Sequence, residues 1–304
     1  MKTQLAVLAV SCAAIHCAAQ TGTLSDWQKL LTDKKDPEAA RALCTSFEQS
    51  KVLTEQVEAE KCLSNVAMWG ADRVSLEKKD NGQVVMFDEY DPESVDESLK
   101  HLNRGLQLAP QDLTIHEGRL HVLEISRRYD EMVKALEESC TLYKGNDALG
   151  AWLNYSPELM QRDQFETGLA FMRVLDKHYP NDSDVIGNIG AFLSLLKRDA
   201  EAIEYLKKAV DLAPKDPINA WDLGREYDYA GQIALANQWY QKALALDSDT
   251  ERRKHDVCVY AEFIEQKLKD RTRACAMEKD NCSADQQTAC AAPVSSSPSS
   301  SKNQ

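Results

Sequence analysis

The sequence predicts an all-α fold: an α-α superhelix (a solenoid) of stacked helical hairpins, closed by a C-terminal capping helix. Three observations carry this. Among 304 residues there are only 12 Gly and 9 Pro, so the residues that turn tight hairpins and shape phosphate-cradling loops are scarce. The chain matches itself at a spacing of 34 residues without a gap over residues 149–250, and a period of that length marks a helical repeat architecture. Within each period two apolar stripes recur at helical spacing.

The elements follow in order. Residues 1–19 read as an export signal: Lys2 precedes an apolar run from Leu5 to Val10, small residues follow, and cleavage is expected after Ala19. Lipid attachment at Cys12 is not expected, because its apolar lead is too short. Residues 20–52 are expected to form a helical pair. Residues 53–250 hold about five repeat units. In the regular ones Gly168, Ala202 and Ala236 share a column, as do Leu175, Ala209 and Ala243, while Pro180, Pro214 and Ser248 close the second helix. In the first helices Tyr155, Ile189 and Leu223 align, followed by Ser156, Gly190 and Gly224.

The columns continue upstream past a two-residue insertion near Asp147, through Leu120, Leu123, Met132 and Leu136, and before them Ser98, Leu102, Gly105 and Pro110. The first helix of the earliest unit is placed over residues 53–74, separated from its partner by a charged insertion near residues 77–91. Asn81-Gly82 is a hairpin dipeptide, but a plain loop is the expectation there. After the repeats, residues 251–290 form a cap and a Cys-containing segment, with one long helix from residue 251 to about residue 279. The Ser/Pro-rich residues 291–304 are expected to be disordered.

The repeat is explained by burial. One hairpin cannot cover its own apolar face, so neighbours stack and share it. Small residues at Gly190, Gly224, Ala202 and Ala236 let the backbones close up.

Charge removes some partners. Lys and Arg number 36 against 49 Asp and Glu, a net −13, and no basic block exceeds Arg252-Arg253-Lys254. Nucleic-acid binding needs clustered cations, so no nucleic-acid partner is expected. Beyond the export signal no run of eighteen apolar residues occurs, and no membrane-spanning segment is expected.

Of nine cysteines, Cys12 and Cys17 leave with the signal. The remaining seven are an odd number, so at least one stays a thiol or pairs between chains. An oxidising compartment permits disulfides, and Cys44, Cys62, Cys258, Cys275, Cys282 and Cys290 are the candidates. Cys44 and Cys62 flank the turn at Ser50-Lys51, as a bridge across a helical hairpin requires; the other connectivities stay open. None of the spacings is C-x-x-C, so no metal and no cofactor is expected.

The run Ala220-Trp221-Asp222-Leu223-Gly224-Arg225-Glu226-Tyr227, followed by Ala236, Tyr240 and Ala243, resembles the tetratricopeptide repeat family, and residues 202–214 are similar to its second helix. The resemblance spans roughly residues 53–250. Trp221 sits one position later than the family's Trp, Arg119 stands where an apolar residue is usual, and Lys144 replaces a closing Pro.

Catalytic patterns do not emerge. His116 and His121 are five residues apart, about 140° around a helix, whereas a zinc-protease helix needs i and i+4. No nucleophile elbow, phosphate loop or dinucleotide fingerprint is present, and no enzyme is expected.

The resemblance implies a concave groove lined by the first helices, holding a peptide or extended segment. By position its lining is Glu117, His121 and Glu124; then Leu153, Pro157 and Met160; then Gly187, Ala191 and Ser194; then Trp221, Arg225, Asp228 and Tyr229. Trp221, Arg225 and Tyr229 lead the set, because aromatics and Arg most often anchor interfaces. A basic or apolar segment of a protein partner suits this lining better than a terminal carboxylate. The expected function is a non-catalytic adaptor of the cell envelope or secreted fraction. The alternatives are an accessory module binding a small ligand or sugar for an enzyme complex, and a purely structural envelope component.

Overall fold

The computed structural model describes residues 26–78, 84–143, 147–283, 286–287 and 289–290. The expected export signal and the Ser/Pro tail lie outside the described residues. The chain divides into two compact units, Met1–Arg162 and Asp163–Gln304, each described by itself.

The first unit opens with α1 (Asp26–Thr32), α2 (Pro37–Phe47) and α3 (Leu53–Met68). Asp36 starts α2 by accepting the Ala39 N–H at 2.9 Å, with Pro37 at the first helical position. Trp27, Leu31, Ala40, Leu63 and Val66 pack around a Cys44–Cys62 disulfide, the bridge expected across that hairpin. Gly70, at φ +71°, ends α3, so the helix stops at Met68 rather than continuing to residue 74. The insertion is not a plain loop: β1 (Asp72–Lys78) and β2 (Val84–Tyr90) pair antiparallel, with Asp72 opposite Tyr90 and Lys78 opposite Val84. The β-branched and aromatic residues of Val84-Val85-Met86-Phe87 favour the extended state, and that preference prevails over the charged residues around it.

The ribbon returns the chain to α4 (Pro92–Leu108), which packs against α3 with Ser64 Oγ 2.8 Å from Ser98 Oγ. Then come α5 (Leu113–Ile125), α6 (Tyr129–Leu142), α7 (Ala148–Leu153) and α8 (Tyr155–Gln161). The break between α7 and α8 has a local cause. Pro157 lacks an N–H and its ring crowds the carbonyl four residues back, at Leu153.

The second unit runs α9 (Phe165–His178), α10 (Ser183–Leu195), α11 (Asp199–Leu212), α12 (Pro217–Tyr229), α13 (Ile233–Leu246), α14 (Thr250–Leu268) and α15 (Arg271–Asn281). Its hairpins are α10 with α11, α12 with α13, and α14 with α15. The expected close approaches are present. A Cβ added at Gly190 would lie 2.6 Å from Leu206 Cγ, and one at Gly224 would lie 2.9 Å from Tyr240 Cδ1. Ala202 and Ala236 are fully buried.

The cap is two helices, not one. Lys269 takes the left-handed conformation at φ 59° and ends α14, and Asp270 then caps α15 by accepting the Arg273 N–H at 3.0 Å. Folding back buries Ala274 and Ala289 in the cluster of Tyr260, Phe263 and Ile264. It also brings Cys258 to Cys282 and Cys275 to Cys290, and both pairs are disulfides. Cys140, the seventh cysteine, is buried in α6. Among the described residues no helix is long and apolar enough to cross a membrane.

Candidate functional site

In the second unit the first helices of the hairpins, α10, α12 and α14, begin at aspartates. Asp182 accepts from the Asp184 and Val185 N–H groups, Asp216 from Ile218, and Asp249 from Glu251 and Arg252. These carboxylates satisfy the otherwise orphaned amides of each first turn. Gly187 is buried where α10 meets α12: a Cβ there would sit 2.2 Å from Asn219 Oδ1. Gly187 and the buried Ser194 therefore serve helix contact, while Ala191 is half-buried.

Around this contact several carboxylates sense one another. Burial first, then Asp182 and Asp216, raises the Asp184 pKa. Burial and Asp216 raise that of Asp222, against the pull of Arg225, whose Nη2 lies 2.8 Å away. Burial raises Asp256 on α14, where Asp247 and Asp222 add to the effect and His255 and Arg252 oppose it. Carboxylates whose pKa is raised by burial and by neighbouring carboxylates thus sit on three successive first helices. Asp228 is paired with Lys267 of α14 at 3.2 Å. Trp221 is half-buried against the ring of Tyr240, whereas Tyr229 is exposed, with Lys197 Nζ 5.5 Å from its ring centre. Of the leading trio, Tyr229 alone presents a largely open ring or head group.

In the first unit, Glu124 is buried and held by Arg162 Nε at 3.0 Å, with His121 Nδ1 at 3.8 Å. Burial raises the Glu124 pKa and lowers that of His121. Glu117, half-buried, is raised by burial and by Asp147 and Asp112, and its carbonyl accepts the Tyr155 hydroxyl at 3.1 Å. Leu153 closes α7, and on α8 Pro157 is exposed and Met160 half-buried. His116 is fully buried between Ser139 Oγ at 2.9 Å and the Pro110 carbonyl at 3.0 Å, a structural role. A cavity of about 590 Å³ opens between α4, α5 and α6. Its three guanidinium groups are already countered, Arg104 by Glu48 and Glu60, Arg119 by Glu138, and Arg128 by Glu131 and Asp96.

Residues 183–216, which comprise α10, α11 and the N-cap of α12, match the tetratricopeptide repeat family model. This segment is a tetratricopeptide repeat. No curated protein matches the chain. Solved structures do. The C-terminal part of a TPR repeat-containing protein from Cytophaga hutchinsonii aligns over 88% of this chain and 100% of its own, at TM-score 0.54 and 12% identity. The pilF protein of Pseudomonas aeruginosa aligns over 62% and 83%, at TM-score 0.42 and 17% identity. Human IFIT1, solved as a dimer with m7Gppp-AAAA, aligns over 88% and 60%, at 0.44 and 16%. The repeat and the Cytophaga likeness establish the fold class: a solenoid of tetratricopeptide-type hairpins, the type of helical scaffold typically used to bind other proteins.

Sequence reading missed the acidic set. The N-caps Asp182 and Asp216, and likewise Asp222 and Asp256, stand 34 residues apart and could have been found as carboxylates recurring with the period, but their effect on one another follows from the stacking.

Proposed function

We propose that this protein is a non-catalytic, exported scaffold whose α10, α12 and α14 face takes a basic, extended segment of another polypeptide. The carrying observation is the set Asp184, Asp216, Asp222 and Asp256 on α10, α12 and α14, where burial first and neighbouring carboxylates second raise the pKa of Asp184, Asp222 and Asp256. A ligand bearing Lys or Arg relieves the repulsion among them, and complementary charge sets both specificity and encounter rate. Tyr229, exposed at the C-terminal end of α12, supplies an aromatic ring for the aliphatic stem or cationic head of such a side chain. The three disulfides support export to an oxidising compartment.

The test is calorimetric titration with a panel of extended peptides that differ only in charge. Basic peptides are expected to bind and acidic ones not. Affinity falls with salt, and Asp222→Asn or Asp256→Asn weakens it by roughly fivefold. Equal affinity for both charge classes rules the reading out.

A further inference from the structure

A second cluster lies in the first unit. Glu48, just past the end of α2, Glu60 on α3 and His101 on α4 place one ligand-type atom each within 4.8 Å of one another. We propose that these three residues form a binding site for a divalent transition metal ion, zinc in the first instance.

Glu60 is the centre. It is 1% exposed, and a carboxylate buried that deeply must be countered. Its Oε2 meets His101 Nδ1 at 2.6 Å and its Oε1 meets Arg104 Nε at 3.0 Å. Arg104 also donates from Nη1 to Glu48 Oε1 at 3.1 Å. Arg104 therefore bridges the two carboxylates, yet its own side chain is about half exposed, so it can swing into solvent without disturbing the core. A bound dication would supply the counter-charge that Arg104 supplies now, and would add a bond to the imidazole.

The donor chemistry selects the metal. Zinc accepts nitrogen and carboxylate oxygen at about 2.0–2.2 Å, which draws ligand atoms to roughly 3–4 Å apart, within reach of side-chain rotation here. Two carboxylates and one imidazole leave a fourth position for water. Magnesium and calcium favour fuller shells of oxygen. The frame is already fixed: the Cys44–Cys62 disulfide joins α2 to α3, and the Ser64–Ser98 hydrogen bond joins α3 to α4. No sequence spacing advertises such a site, since each ligand comes from a different helix.

The experiment is titration of zinc chloride into the untagged full chain with its disulfides intact, followed by calorimetry and by thermal unfolding. One equivalent is expected to bind and to raise the melting midpoint. His101→Ala and Glu48→Gln should each weaken binding by about tenfold or more. Far-UV circular dichroism checks the fold, and Glu48, at the edge of the cluster, can be changed without opening the core. Arg104→Ala should bind zinc at least as tightly as wild type, because it removes the competing cation. The proposal is overturned if wild type takes up no zinc, if both ligand variants bind as wild type does, or if Arg104→Ala abolishes binding.

Discussion

The indole of Trp221 lies 4.7 Å from the Tyr240 ring, centre to centre, with the planes tilted by 52°. Tyr240 in turn meets Tyr260 at 5.9 Å and Phe263 at 5.2 Å, so Trp221 ties α12 through α13 to α14. Much of its area therefore holds helices together. Trp221→Ala should cost roughly 2 kcal/mol, below the full cost of a buried Trp because the side chain is only half-buried. Tyr229→Ala, at a side chain 58% exposed, should stay within about 0.5 kcal/mol. Urea denaturation of both variants checks the contrast, and equal losses would contradict the division of roles.

The joints between helices give a second contrast. Gly224→Ala places a methyl 2.9 Å from Tyr240 Cδ1 and 3.1 Å from its backbone N, and overpacking there should cost about 1–3 kcal/mol. Ala202→Arg, at a fully buried position, should lower the melting midpoint more clearly still. Gly231→Ala meets nothing within 4 Å, but the residue sits at φ +71°, so its cost of about 1 kcal/mol is backbone strain alone. Thermal melts of the three variants separate crowding from strain; a stable Ala202→Arg protein would remove the register.

The hairpin stacking was legible because burial imposes a period: Gly190 and Gly224 recur where α10 meets α11 and α12 meets α13. The turns were less so. Asp163, Lys197 and Gly231 all take positive φ at the same place in successive periods, yet only the last is the residue that announces it. Lys269 hid the break between α14 and α15 for the same reason. The β-ribbon depended on a single dipeptide signal. The Cys44–Cys62 bridge could be read from local spacing, whereas the pairings Cys258–Cys282 and Cys275–Cys290 depend on a helix folding back. The acidic face follows the period in part, since Asp222 and Asp256 are one period apart, whereas the Glu48, Glu60, His101 cluster is a product of packing that brings together residues no linear pattern relates.

The disulfides should matter unequally. Cys44 and Cys62 are 18 residues apart, and replacing both with Ala should cost about 3 kcal/mol, chiefly through the freed unfolded chain. Replacing Cys258 and Cys282 removes the disulfide that ties the end of α15 to α14, leaving α15 held by the fully buried Ala274 and Glu278 and the partly buried Cys275 and Met277. Hydrogen exchange of α15 amides should then speed up well before that of α12. Uniform acceleration along the second unit would mean that α15 does not open on its own.

Glu226 predicts a pH dependence. Its side chain is fully buried on α12, beside the Ser194 hydroxyl. Burial raises its pKa and Asp199 adds to the effect, while Ser194, Arg225 and Lys197 pull the other way without reversing it. The folded state therefore holds this proton more tightly than the unfolded chain does. Its stabilising contribution is complete below the ordinary glutamate value, declines as pH climbs through the raised folded value, and levels off above it. Each tenfold gain in proton affinity corresponds to about 1.4 kcal/mol. Glu226→Gln keeps the shape and cannot ionise, so it should match wild type near pH 4 and exceed it near pH 8. Glu117, Glu124, Asp184, Asp222 and Asp256 are displaced in the same direction, so the informative quantity is the difference between the two stability curves. A difference that stays flat across this range would mean that Glu226 is ionised in the folded protein, with a counter-charge drawn to it from Lys197 or Arg225.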